Sequence, residues 1–180
     1  MISDNSQIAI NLVPLRSEYI DSLLEWRAQP EAQLHQPISP LSREKLENFL
    51  EKQRGNHYLD LVDIDNIIII KDSENGAPVG WMTMEVTSRL HGLVRIGYTI
   101  SNEFWGKGYA TAAVGKLARE LFERTIIERI EADCSIHNPA SRRVLEKCGF
   151  KLIGIKHSYL RIHGERIDHH YFELLKDDLK

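Results

Sequence analysis

The chain has 180 residues, of which 42% are hydrophobic and 27% charged, and this composition is typical of one soluble globular domain. The formal net charge is −3 and no run of Lys or Arg occurs, so nucleic acid is not an expected partner. No apolar stretch is long enough to span a bilayer or to act as a signal peptide. We therefore expect a single cytoplasmic domain over residues 1–180, with no membrane partner.

The first half of the chain alternates predicted strands with predicted helices. Ser17 is the predicted N-cap of a helix that Pro30 ends, and Ser42 is the predicted N-cap of the next helix. The predicted elements are a strand over 8–15, helices from 17 and from 42, a loop over 34–40, strand pieces within 59–71, a hairpin turn at 74–76 and a strand over 78–87.

The second half carries the clearest periodicity. Pro139 suits the first position of a helix and Gly149 suits its end. The predicted elements are a strand over 94–100, a helix over 108–123, a strand over 127–136, a helix over 139–147, and strands over 150–155 and 167–175 that form a hairpin. Strands mixed with helices in this way predict an α/β or α+β sheet protein.

The segment Phe104–Thr111 joins a predicted strand to a predicted helix and reads Phe-Trp-Gly-Lys-Gly-Tyr-Ala-Thr. Its glycines allow a sharp turn, and the first turn of a helix attracts phosphate. The segment lacks the Gly-Lys-Ser/Thr of a Walker loop, and Thr111 occupies the slot where a dinucleotide fingerprint needs Gly or Ala. A pyrophosphate seat is one interpretation, and a tight turn without a ligand is the other.

Charge favours the first interpretation. Residues 1–90 have a balance of −6 and residues 91–180 a balance of +3, so the basic half carries the loop. Such a distribution suits an anionic ligand.

Three segments that occur in order show a resemblance to a known family. They are Gly97-Tyr98-Thr99-Ile100, Trp105-Gly106-Lys107-Gly108-Tyr109-Ala110-Thr111, and Asn138-Pro139-Ala140-Ser141 with its continuation to Glu146-Lys147-Cys148-Gly149-Phe150. The set resembles the GCN5-related N-acetyltransferase (GNAT) family, most closely its ribosomal-protein alanine acetyltransferase-like (RimJ/RimL-like) branch, over about residues 10–175. The resemblance implies an α/β (α+β) GNAT fold, in which a mixed, mostly antiparallel sheet flanked by helices is splayed at the cofactor site.

The resemblance also implies acetyl-coenzyme A (coenzyme A after transfer) as cosubstrate, with its pyrophosphate on the glycine loop and its pantetheine arm in the splay. The implied cofactor-binding residues are Tyr98, Thr99, Ile100, Trp105, Gly106, Lys107, Gly108, Tyr109, Ala110, Thr111, Asn138 and Ser141. Trp105 stands where the general family pattern has Gln or Arg, although Trp is usual in the branch. Ala112 stands where close relatives often carry Glu.

Two hydroxyl groups are candidates for protonating the departing thiolate. The resemblance places Ser141 near the cofactor sulfur, and the alternative is that Ser141 only bonds to backbone in the first helical turn. Tyr98 is a further acid candidate, although its phase with Ile96 and Ile100 also suits core packing. Asn138 is expected to contact the pantetheine arm, to cap the helix, or to do both.

Glu131 is the candidate general base. Glu131 and Asp133 lie two apart on one predicted strand and so share a face, which could point into the splay. The alternative is that Glu131 is solvated or pairs with Arg129 or Arg95.

The predicted function is acetyl transfer from acetyl-coenzyme A to a primary amine, either a protein N-terminal α-amine or a small amine, by direct attack. Cys134 and Cys148 are typical of reduced core thiols, which disfavours an acyl-enzyme. The alternative function is a non-catalytic domain of the same fold that binds or senses coenzyme A. Acidic helices within 17–53 suggest a cationic amine, but a solvated helix face explains them equally well.

No metal site is expected, because His169 and His170 are adjacent in a strand and point to opposite faces. A homodimer is compatible with the sequence.

Overall fold

The computed structural model describes residues 8–37, 41–61 and 65–179. Seven strands form one sheet in the order β1-β2-β3-β4-β5-β7-β6. The strands are β1 (Ile10–Pro14), β2 (Asn66–Asp72), β3 (Pro78–Ser88), β4 (Leu93–Ile100), β5 (Arg129–Ser135), β6 (Lys151–Ile162) and β7 (Glu165–Leu175). The helices are α1 (Ile20–Ala28), α2 (Pro30–Gln33), α3 (Arg43–Lys52), α4 (Tyr109–Arg124) and α5 (Pro139–Lys147).

Hydrophobic burial divides the two faces of the sheet. One cluster joins α4 and α5 to one face, where the α4 residues Ala113, Val114 and Leu117 recur at helical spacing and are fully buried. A second cluster joins α1, α2 and α3 to the other face, but only over β1, β2 and β3. The second face of β4, β5, β7 and β6 is therefore left outside both hydrophobic clusters.

The sheet opens between β4 and β5. These two strands form the one parallel pair, and their pairing covers only Leu93–Arg95 against Arg129–Glu131. Beyond that point β4 continues along β3 and β5 continues along β7. The mixed, mostly antiparallel sheet predicted from the sequence, with its splay between these strands, is confirmed.

Most predicted elements are present, with shifts at their ends. The helix over 139–147 has the predicted bounds, and Ser42 caps α3 by accepting a hydrogen bond from the Lys45 amide at 3.3 Å. The Ser17 prediction is wrong: Arg16 holds the capping position, and Ser17 begins a 3-10 turn without a side-chain cap. Pro30 follows the end of α1, as predicted, and it is also the first residue of the short α2.

The predicted hairpin of the last two strands is confirmed and is longer than expected, since β6 runs on to Ile162. Of the predicted strand pieces in 59–71, the second is β2, while Leu59 lies in a 3-10 turn. Parts of that segment (62–64) and of the predicted loop over 34–40 (38–40) lie outside the described residues. Within the described ranges, no helix combines the length and apolarity that crossing a bilayer requires.

Candidate active site

A cleft of about 710 Å³ takes its walls from both faces of the sheet at the splay. Its loop half lies beside Trp105–Thr111 and the start of α5. Its sheet half lies between the open face of β3, β4, β5 and β7 and the segment 31–37. The two halves meet at Tyr98 and Thr99.

The loop half is shaped by two glycines in the left-handed region. Gly106 has a φ of 75° and Gly108, immediately before α4, has a φ of 92°. This turn puts the first residues of α4 on the cleft wall, where their N–H groups have no carbonyl partner within the helix. The positive end of the helix dipole adds to these donors, so the arrangement suits a diphosphate.

Most of the residues assigned to the cofactor do line the cleft. They are Tyr98, Thr99, Ile100, Trp105, Gly106, Gly108, Tyr109, Ala110, Thr111, Asn138 and Ser141. Lys107 is not on the wall, and its ammonium lies 5.2 Å from the centre of the Phe104 ring. Two further cations line the cleft that the sequence analysis did not single out, Arg143 and Lys147. The sequence could have indicated this pair, since a spacing of four residues on a helix puts both side chains on one face.

Two side chains hold the loop against the sheet. The Trp105 indole N–H donates to the carbonyl of Ile100 at 2.7 Å. The Tyr109 hydroxyl donates to the Asp72 carboxylate at the end of β2. This bond raises the pKa of Tyr109 to about 12 and lowers the pKa of Asp72.

A hydroxyl pair occupies the splay. The Tyr98 hydroxyl lies 2.8 Å from the Ser141 Oγ and 3.0 Å from the Ser141 carbonyl oxygen. The Asn138 side chain accepts from the Ser141 amide at 3.0 Å, so Asn138 is the N-cap of α5. Burial raises the pKa of Tyr98, which keeps it a neutral hydroxyl. Ser141 thus has a hydroxyl contact in the cleft besides its backbone contacts.

Both cysteines are free and poorly suited to nucleophilic attack. Burial raises the pKa of Cys134 to about 11 and that of Cys148 to about 11. The thiolate is the reactive form of cysteine, and at these pKa values almost no thiolate exists at neutral pH. Cys148 also donates its thiol proton to the Thr111 carbonyl at 3.4 Å.

The structure does not bring Glu131 into the cleft. Its carboxylate is 2.9 Å from the Arg129 guanidinium, which is the pairing that the sequence left open as the alternative. The reason is topological: Glu131 stands opposite Arg95 at the last paired position of β4 and β5, before the strands part. Asp133, one step further along the same face, does line the cleft.

Polar groups from distant parts of the chain build the sheet half. The Gln36 amide donates to the Thr99 Oγ1 at 2.7 Å and so ties the segment after α2 to β4. Gly97 of β4 lies close to its neighbour Thr83 of β3, since a Cβ at this position would be only 2.7 Å from the Thr83 Oγ1. The wall of the cleft is therefore free of a side chain at this position. His169 of β7 also lines this half.

Charges alternate across the sheet half. Arg95 lies 3.5 Å from Glu85 and 4.0 Å from Asp133, and Asp133 lies 3.6 Å from Lys156. Glu31 adds a further carboxylate to the wall. In the ranges that the structure describes, no cluster of three or more His, Cys, Asp or Glu side chains could hold a metal ion.

A diphosphate seat beside a gap in a sheet, with hydroxyl groups inside the gap, defines a protein that binds an acyl carrier and exposes its thioester to a second substrate. The acetyltransferase (GNAT) domain family matches residues 9–151, so the chain belongs to that family. The enzyme class expected from the sequence, an acetyl-coenzyme A-dependent N-acetyltransferase, is confirmed at the level of the family.

Named relatives agree with this assignment. The chain is 26% identical over 175 residues, 93% of each chain, to an uncharacterized N-acetyltransferase, p20, of Bacillus licheniformis. It is 33% identical over 102 residues to YdaF of Bacillus subtilis (strain 168), which is provisionally named a ribosomal N-acetyltransferase; that match covers 57% of this chain and 56% of YdaF.

Solved structures share the fold. The spermidine N-acetyltransferase of Vibrio cholerae, solved in complex with CoA and spermine, aligns with a TM-score of 0.82 at 18% identity over 97% of this chain and 99% of that chain. A GNAT-family acetyltransferase of Bacillus anthracis aligns with a TM-score of 0.78 at 20% identity over 93% of this chain and 95% of that chain.

Proposed function

We propose that this protein transfers the acetyl group of acetyl-coenzyme A to a primary amine by direct attack. The acceptor is a protein N-terminal α-amine, as in the ribosomal alanine acetyltransferase-like branch, or a small amine. The observation that carries the proposal is the hydroxyl pair of Tyr98 and Ser141 in the splay, next to the glycine loop.

In this proposal the loop half holds the acyl carrier. The amides of Gly108–Thr111 and the side chains of Arg143 and Lys147 bind the phosphates, because all of them line the same half of the cleft. The pantetheine arm runs along the edge of β4 that β5 leaves unpaired after Arg95. Asn138 both caps α5 and faces this arm, since its side chain lines the cleft.

The transfer itself has five balanced steps. An ammonium group in the sheet half gives up one proton, and the freed lone pair of the amine attacks the thioester carbonyl carbon. The tetrahedral intermediate then collapses, the C–S bond breaks, and the electron pair leaves with sulfur. Ser141, with Tyr98 2.8 Å behind it, supplies the proton that the thiolate takes up. The second amine proton is lost as the amide forms and restores this hydroxyl pair.

Three carboxylates support an amine acceptor in the sheet half. Glu31, Glu85 and Asp133 line that part of the cleft, and a cationic amine is attracted to them. The structural neighbour from Vibrio cholerae was solved with the polyamine spermine bound, which is consistent with a cationic acceptor. An α-amine with a pKa of about 8 is roughly one tenth neutral at pH 7, so it needs only modest help from a base.

Thiol release from acetyl-coenzyme A tests the proposal. The acceptors are peptides with free N-termini, polyamines, amino acids and aminoglycosides, and calorimetry with coenzyme A is run on the same preparation. Turnover with any of these amines supports the proposal. Binding of coenzyme A without turnover points to the alternative, a domain that binds or senses coenzyme A, and no binding contradicts both.

A further inference from the structure

Among the described residues, His169 and Ser135 are the two buried polar residues that line the sheet half of the cleft. His169 stands opposite Ser135 at the end of β5, and its side chain is on the face of Asp133, away from Phe172 and the core. Only 2% of its surface is exposed, yet it lines the cleft.

One ring nitrogen of His169 is fixed by the backbone. Its Nδ1 lies 3.2 Å from the carbonyl oxygen of Ile167. A carbonyl oxygen only accepts hydrogen bonds, so Nδ1 carries the proton and Nε2 keeps its lone pair. The edge of the Tyr159 ring packs against the imidazole, with ring centres 5.5 Å apart and planes at 71°. These two contacts set both the tautomer and the orientation of the ring.

The lone pair of Nε2 is available. Within the described residues, the hydrogen bond of the His169 side chain uses Nδ1 and not Nε2. A nearly buried imidazole with one nitrogen anchored and the other open to a cleft is suited to accept a proton. The two β5 carboxylates are less suited: Glu131 lies outside the cleft, and Asp133 already lies between the cations Arg95 and Lys156.

We propose that His169 is the general base of the acetyl transfer, an inference that rests on the proposed function. Nε2 takes one proton from the acceptor ammonium, directly or through one water molecule, and becomes an imidazolium. The neutral amine then attacks the thioester. The imidazolium returns its proton to solvent after the product leaves, so the overall reaction consumes an ammonium and releases one proton, an amide and a thiol.

The substitutions His169→Asn and His169→Gln test this role. Asn can keep the hydrogen bond to the Ile167 carbonyl while it removes Nε2. We expect kcat/KM to fall about 100-fold, within the range for loss of a general base, while the Kd for coenzyme A stays within about twofold of the wild-type value. His91→Asn, in the exposed turn between β3 and β4, is the matched control and should keep the wild-type rate.

The rate loss of His169→Asn with two different acceptor amines shows whether His169 acts as a base or only supports the structure. Ethylamine is protonated at pH 7, whereas trifluoroethylamine is already neutral, so the rate loss of His169→Asn should be large on the first and small on the second. An equal loss on both amines would overturn the assignment. If neither amine is used, the slow hydrolysis of acetyl-coenzyme A replaces them, because water needs the same proton acceptor; unchanged hydrolysis then counts against His169.

Two more results would overturn the inference without touching the proposed function. One is a wild-type rate in His169→Asn together with normal coenzyme A binding. The other is a loss of about 100-fold in Glu131→Gln, or in His35→Asn at the other imidazole on the cleft wall, but not in His169→Asn. If both His169 variants fail to bind coenzyme A, ¹⁵N NMR of the wild-type protein decides: a proton on Nδ1 supports the assignment, and a proton on Nε2 contradicts it.

Discussion

The two halves of the cleft are built in different ways. The loop half depends on backbone amides, two glycines and two helix starts, and nearly all of it comes from 98–147. The sheet half depends on side chains that α2, β3, β4, β5 and β7 bring together from residue 31 to residue 169. Under the proposed function, the part of the site that binds the cosubstrate is thus local in sequence, and the part that would select an acceptor is not.

Ser141→Ala tests the hydroxyl pair that lies where the two halves of the cleft meet, and it should give the largest effect. Loss of the acid should lower kcat about 100-fold, while the Kd for coenzyme A stays near the wild-type value, because the Ser141 contact to Asn138 uses a backbone amide. Ser141→Thr keeps the hydroxyl and is the conservative control. A larger loss in Tyr98→Phe than in Ser141→Ala would contradict the assigned order of the two hydroxyls.

Gly108→Val tests whether the loop half works through backbone shape. A branched residue at a φ of 92° is strained, and strain of about 1–3 kcal/mol, relieved by a change in the shape of the loop, predicts an affinity for coenzyme A that is weaker by about 5- to 150-fold in calorimetry. Gly55→Val is the matched control, since Gly55 has a φ of 87° but lies outside the cleft. Equal affinities in the two variants would mean that the loop is only a turn.

Arg143→Gln and Lys147→Gln test whether positive side chains in the loop half contribute to the affinity for coenzyme A. Each side chain lines the loop half, so each loss should weaken coenzyme A binding several-fold, with a smaller effect at high salt. Arg142→Gln is the control, because Arg142 is exposed and pairs with Glu146 at 2.7 Å. The prediction is wrong if Arg142→Gln weakens binding as much as the other two.

Tyr109→Phe should give the smallest effect, a pH-dependent loss of stability. The bond to Asp72 lowers the carboxyl pKa and raises the Tyr109 pKa to about 12. Its stabilisation is therefore fully present between the unfolded pKa values, about 4 and about 10, and is lost as pH falls below or rises above that window. Thermal unfolding should separate the two proteins most at neutral pH, and a constant difference at every pH would contradict this.

Local signals explain what the sequence could predict. Pro139 and Gly149 set the ends of α5 because a helix start and a helix end are decided by neighbouring residues. The same holds for the glycine loop before α4. Ser17 shows the limit of such signals, since the preceding Arg16 takes the cap position and leaves the serine inside a 3-10 turn.

Non-local pairing explains what the sequence could not predict. The period of β5 correctly puts Glu131 and Asp133 on one face, but which of them reaches the cleft depends on where β4 and β5 stop pairing. The position of His169 likewise depends on the register between β5 and β7. Neither the end of a strand pair nor a register between distant strands is encoded in a short segment.

The opening between β4 and β5 also has a kinetic meaning. Under the proposed function the acyl carrier binds beside α4 and α5 and the acceptor binds on the opposite face of the sheet, so we expect that neither substrate has to pass the other to enter or leave. Because burial raises the pKa of both thiols, we expect no half-reaction that stores the acetyl group on a cysteine. Double-reciprocal plots at several fixed acceptor concentrations should accordingly intersect, the signature of a ternary complex.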